Sequence, residues 1–169
     1  MAVVLMLQGK AESHPQAEQL ERMIRTRVAQ HFLALEVGDP ELSVVFTDDE
    51  HIRELNYEWM GEDKPTDVLS FPMFEGEDFE EELDLLGDIV VNLEYAERLV
   101  ATREHRDRVA EELGVDASTL EWGLSQEVDF LIIHGLLHLV GHDHADADEE
   151  AVMKAEERRL WEHAGSIDI

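Results

Sequence analysis

The chain contains no cysteine, which rules out disulfides and thiolate metal sites. Any transition metal would have to be held by His, Asp or Glu. The same absence suits a reducing compartment, and the expectation is a cytoplasmic protein. Lysine is scarce as well. Lys10, Lys64 and Lys154 are the three in the chain, set against 41 acidic residues and a formal charge of −28. Such a surface repels polyanions at long range and keeps a protein soluble, but says nothing about its fold. It fits a protein working in concentrated salt, where screening shrinks to about 3 Å near 1 M, and equally an acidic bacterial protein of no special habitat. No apolar run approaches the roughly 20 residues that cross a bilayer. The opening Ala2–Leu7 stretch lacks a basic flank and a small-residue cleavage site, so it reads as a strand rather than a signal peptide. No repeat and no Pro/Gly/Ser-rich linker divides the chain, and residues 1–169 are read as a single domain.

What is present alternates between short apolar runs and helical periodicity. Val3–Leu7, Leu42–Phe46, Asp67–Phe71 and Leu86–Val91 read as strands. Three capping-box signatures, Ser13…Gln16, Thr47…Glu50 and Ser118…Glu121, each announce a helix. Leu20, Met23, Ile24, Val28 and Phe32 mark the first helix, and Ile52, Leu55 and Trp59 the second, which Gly61 stops. Asn92 caps a long, charged helix. Another helix runs from the Ser118 box to Val140, where Gly141 breaks it, and a last amphipathic helix spans about Asp148 to Trp161. Residues 75–84 carry seven acids in ten positions and read as a loop. The sum is an α+β domain with about four strands and five helices.

The histidines carry the chemistry. Four of the nine fall between His134 and His144, amid residues that otherwise belong on a buried face. Side chains at i and i+4 share a helix face about 5–6 Å apart at Cβ. His134 and His138 therefore point the same way and can grip one ion. Gly141 lets the backbone turn so that His144 returns as a third ligand. Three imidazoles leave one tetrahedral position open, the pattern of a catalytic site. Zinc is the expected ion, although Ni, Cu and Fe also suit imidazole donors. His142 is expected to face elsewhere, and Asp143 to brace a ligand ring from outside. Asp146, Asp148 and Glu150 mimic a calcium loop, but Ala151 stands where that loop needs glycine. The His-Glu-x-x-His motif of metalloproteases is also broken, because residue 135 is Gly where the general base would stand.

With the run His-Gly-Leu-Leu-His-Leu-Val-Gly-His-Asp-His in view, the chain resembles the YbeY family of bacterial rRNA maturation factors. Leu55-Asn56 with Gly61-x-Asp63-x-Pro65-Thr66-Asp67-Val68-Leu69-Ser70-Phe71-Pro72 is similar to a second family signature, and Gly87-Asp88-Ile89-Val90 to a third. The resemblance covers roughly residues 45–145. It implies a zincin-like fold with a mixed sheet and a metal on His134, His138 and His144. It also implies endoribonuclease activity on single-stranded RNA, with the 16S rRNA precursor as substrate and small ribosomal subunit components as partners. Asp67 and Ser70 are expected to contact substrate and Asp88 to be catalytic, the alternatives being that Asp67 only bonds its own turn and that Ser70 and Asp88 only end strands.

One position departs from the pattern. Many relatives carry arginine where this chain has Met60, and methionine cannot stabilise charge on a phosphoryl oxygen. Either the metal alone bears that charge or another cation does, and Lys64, in the loop that follows, is the expected candidate. Of the arginines in the helix after Asn92, Arg98, Arg103, Arg106 and Arg108, only Arg103 and Arg106 are i, i+3 neighbours, which gives a basic stripe little support. RNA binding should be weak and salt-sensitive. Two other functions stay open: a ribosome-assembly docking factor with a structural metal, and a metal-dependent hydrolase of non-RNA substrates.

Overall fold

A computed structural model of the chain describes residues 3–73, 85–143 and 145–165. The acidic run at 75–84 lies outside those residues, and so does His144. Four strands form one mixed sheet in the order β1-β2-β4-β3. They are β1 (Val3–Leu7), β2 (Glu41–Thr47), β3 (Val68–Pro72) and β4 (Leu85–Asn92). β1, β2 and β4 run parallel, while β3 closes the edge antiparallel to β4. The helices are α1 (Ala17–Leu35), α2 (Asp49–Met60), α3 (Leu93–Thr102), α4 (Glu104–Leu113), α5 (Leu124–Leu139) and α6 (Ala147–Ala164).

The two faces of the sheet are unequal. Ile89 and Val91 of β4 join a core with α1, α3, α5 and α6. The intervening Val90 faces the other way and meets Ile52 of α2 and Leu69 of β3 in a small cluster of its own. Period-2 alternation produces this division, and it fixes which strand residues can reach α5.

The capping boxes misplace three helix starts. Ser13 ends a 3-10 turn, and α1 begins only at Ala17. Asp48 rather than Thr47 caps α2, its carboxylate accepting the His51 N–H at 3.0 Å. Ser118 sits in a 3-10 turn, and α5 starts after Gly123, whose N–H donates to the Gln126 side chain at 2.8 Å. Asp48 and Gly123 are favoured cap residues in their own right, while Gln16 precedes α1 without a side-chain cap bond, so local sequence alone does not choose between neighbours. Asn92 caps as expected, accepting from the N–H groups of Glu94 and Tyr95. The long helix after it is two helices. Arg103 adopts a left-handed conformation at φ 58° and redirects the chain into α4. The described residues thus carry six α-helices where five are expected from the sequence.

Two buried polar residues fasten the loop between α2 and β3. Asn56 donates to the Lys64 carbonyl at 2.9 Å. Asn92 donates from its side chain to the Thr66 carbonyl at 3.2 Å and from its backbone to the Asp67 carbonyl at 2.9 Å. The loop enters β3 at Val68 in a fixed position, with Asp67 held beside the sheet. Among the described residues, no helix is long and apolar enough to cross a membrane.

Candidate active site

Helix α5 is apolar almost all round, as expected of a helix surrounded by protein. Of its 16 residues, 14 are buried, and the two that are not are His134 and His138. Both open onto one cleft of about 680 Å³. Their Nε2 atoms lie 3.1 Å apart with the rings nearly perpendicular, at 77°. Two nitrogens that converge this closely can share one ion at the usual Zn–N distance of about 2.0–2.1 Å. The donor chemistry fits zinc. Among the described residues no cluster of three or more ligand side chains is present, and His144 lies outside them.

The helix can aim the pair because of how it meets the sheet. Gly135 sits between the two histidines and packs on Ile89. A Cβ at residue 135 would stand 3.1 Å from both Ile89 Cδ1 and Cγ2. The position that carries Glu in metalloproteases is thus a point of helix–strand contact with no room for a carboxylate. Past α5 the chain turns at Gly141, whose φ of 99° favours glycine. Its N–H donates to the His138 carbonyl at 3.1 Å, and His142 N–H to the Leu137 carbonyl at 2.9 Å. The turn leaves His142 and Asp143 at the edge of the cleft, where they also border a second pocket with Asp148, Glu149 and Val152.

Two buried acids stand behind the cleft, and neither was expected from the sequence. Glu157 of α6 is 1% exposed and lies 3.4 Å from His134 Nδ1. A carboxylate there favours the tautomer protonated at Nδ1, which keeps the Nε2 lone pair for an ion. Glu157 also accepts from Arg108 Nη2 at 2.7 Å. Glu127 of α5, fully buried, bonds His105 Nδ1 and accepts from Trp122 Nε1. His105 and Arg108, at i and i+3 on α4, both line the cleft. The His105 ring stacks on Phe130 with centroids 4.1 Å apart, and the Arg108 guanidinium lies 5.5 Å from the centre of that ring. A histidine and an arginine three apart are the sequence signal for this face. Glu157 leaves a fainter one, a lone acid on the stripe of Met153, Leu160 and Trp161.

The structure divides the remaining expected residues. Asp67 and Ser70 line the cleft. Ser70 pairs with Ile89 in the sheet and so shares the α5 side. Asp67 also bonds its own turn, accepting from Val68 N–H at 2.7 Å. Asp88 does not join them. It is exposed, paired with Phe71, and by alternation with Ile89 it projects from the α2 side of the sheet. A strand residue next to one that faces α5 cannot face α5 as well. Lys64 is not on the cleft wall either. Its ammonium reaches Glu62 at 3.5 Å in solvent, while Met60 is the residue of that segment that borders the cleft. The departure from the family arginine therefore falls inside the site.

The comparisons agree with the signatures. Residues 7–165 match the family model described as Endoribonuclease YbeY. The Endoribonuclease YbeY of Syntrophus aciditrophicus is 37% identical over 142 residues, covering 83% of this chain and 78% of that protein. Those of Sinorhizobium fredii and Desulforamulus reducens are each 40% identical, covering 76% and 75% of this chain and 65% and 74% of their own lengths. The solution structure of TM1509 from Thermotoga maritima aligns over 95% of this chain and 89% of that one, at 26% identity and a TM-score of 0.49.

Proposed function

This chain belongs to the YbeY family of endoribonucleases, and from that premise we propose that it is a zinc-dependent enzyme cutting single-stranded RNA. Its substrate is the 16S rRNA precursor, cleaved in 3′-end maturation in the cytoplasm, and its partners are components of the small ribosomal subunit. The observation that carries the metal reading is the convergence of His134 and His138 at 3.1 Å, on a helix whose every other residue is buried. His134, His138 and His144 hold the ion. When bound, zinc supplies Lewis acidity next to the scissile phosphate.

The chain's own residues do the positioning. Glu157 keeps His134 in the ligating tautomer. Ser70 and Asp67, on the β3 side of the cleft, offer hydrogen bonds to ribose hydroxyls. Phe130, Leu131 and Val68 supply apolar wall to the cleft.

The test is metal content together with cleavage of a single-stranded RNA. The purified protein should carry one zinc per chain and cut the RNA, and a chelator should stop it. His138→Ala should stay folded by circular dichroism, lose the zinc and lose cleavage. Cleavage that ignores both chelator and His138→Ala would refute this reading.

A further inference from the structure

A polyanionic substrate and a chain of net charge −28 pose a problem that the site must solve locally. Phosphodiester cleavage concentrates charge on the non-bridging oxygens, and a fixed cation is the usual means of stabilising it. Lys64 points into solvent and Met60 is uncharged. Among the described residues that line the cleft, one is lysine or arginine, and it is Arg108.

We propose that Arg108 is the phosphate-binding residue of this cleft, its guanidinium receiving the RNA phosphodiester beside the His134–His138 pair. The proposal rests on the endoribonuclease reading and deepens it. Arg108 shares the buried carboxylate of Glu157 with His134, the arginine at 2.7 Å and the histidine at 3.4 Å. One side chain thus ties the guanidinium to the ion-holding imidazole. The guanidinium is also pre-oriented. Nε donates to Glu112 at 3.3 Å, Nη2 donates to Glu157, and Phe130 lies beneath at 5.5 Å. The remaining nitrogen, Nη1, makes no bond with a described residue.

The two acids orient the guanidinium, and Glu157 is shared with His134. The left-handed turn at Arg103 is what allows this placement, because it swings α4 so that His105 and Arg108 face Phe130 together.

The experiment uses Arg108→Gln, which keeps a donor for Glu157 without the charge, and Arg108→Lys, which keeps the charge without the planar fork. The first readout is binding of a non-cleavable 2′-O-methyl single-stranded RNA to the metal-free protein, measured across salt. Each phosphate contact on single-stranded nucleic acid contributes about 0.7 to the slope of log K against log salt. Arg108→Gln should lower that slope by about 0.7, and a purely structural role would leave it unchanged. The second readout is cleavage by the zinc-loaded protein. Arg108→Gln should lose at least about 100-fold in kcat/KM, in line with loss of one oxyanion-stabilising donor, while retaining one zinc per chain.

An unchanged slope, or cleavage at the wild-type rate by Arg108→Gln, would overturn the proposal. Should Arg108→Gln not fold, Arg108→Lys decides the matter. A loss of tenfold or more in kcat with the slope kept supports a guanidinium-specific role, and wild-type turnover overturns it. Failure of the wild-type protein itself to cut RNA in zinc would instead bring down the endoribonuclease reading.

Discussion

Replacing Gly135 with alanine gives opposite outcomes under two simple pictures of α5. In an unconstrained helix interior, Gly→Ala stabilises by about 0.8–1.0 kcal/mol through helix propensity. Here the new Cβ would lie 3.1 Å from Ile89 Cδ1 and Cγ2 and 3.2 Å from Cγ1. Both branches of the isoleucine crowd the position, and a β-branched side chain has little χ1 freedom with which to clear it. Ile89 is fully buried, so it has no solvent to move into. Overpacking of this kind costs about 1–3 kcal/mol. Set against the propensity gain, the net expectation is destabilisation of up to about 2 kcal/mol. Urea unfolding of Gly135→Ala, Ile89→Ala and the double variant measures it. The double variant should be more stable than the sum of the two single effects predicts, because Ile89→Ala opens the space the new methyl needs. Zinc affinity should fall in Gly135→Ala and recover in the double variant, since the contact sets where His134 and His138 aim. A Gly135→Ala protein more stable than the wild type would refute the view that this contact fixes the helix.

Three further outcomes are expected. Glu157→Gln should weaken zinc binding by about 10–100-fold, read by chelator competition, and unchanged affinity would separate Glu157 from the site. Burial alone would raise the Asp48 carboxyl, but the Lys10 and His51 N–H groups and the His51 ring outweigh it and bring its pKa to about 2 from 3.8. A carboxyl lowered on folding adds stability that is full above its unfolded pKa and is lost as pH falls. About 2 kcal/mol should therefore disappear between pH 4 and 2, and Asp48→Asn should show a smaller loss in urea melts over that range. The charge of −28 predicts a melting temperature that rises between about 0.1 and 3 M KCl as screening tightens; a flat response would sink the salt-adapted surface.

Local pattern made some of the molecule readable. The i, i+4 spacing of His134 and His138 was enough to place them on one face, and the N-capping geometry of Asn92 followed from its side chain alone. The glycine that ends α5 was visible too. What escaped is what depends on distant partners. Glu157 lies 49 residues from Arg108 and 23 from His134 in the chain, so no window of sequence shows that its burial is satisfied. The break at Arg103 had no Gly or Pro to announce it, and with it went the facing of His105 and Arg108. Asp88 was placed by its motif, yet the alternation of β4 already excluded it once Ile89 was assigned to the core. Motif membership says that a residue is needed, while strand periodicity says which side it serves.

The rotation of α5 about its own axis requires a separate cause. A helix that is apolar on nearly every side gains about as much from one rotation as from another, so burial cannot choose among them. Polar contacts can, because a buried charge without its partner costs several kcal/mol. Asp129 accepts from Arg27 at 3.0 Å and bonds His31 at 3.0 Å, both on α1. Burial works to raise its carboxyl, and the two basic partners outweigh burial and hold it low. Glu127, two residues earlier on α5, is tied to His105 and Trp122. Gly135 meets Ile89 on the sheet. These anchors point in different directions, and a shift of one residue, about 100° of helix rotation, would leave both acids unpaired in the core. With the rotation fixed in this way, the two side chains of α5 that are not buried open onto the same cleft. The charged residues inside the fold thus determine where the two imidazoles point.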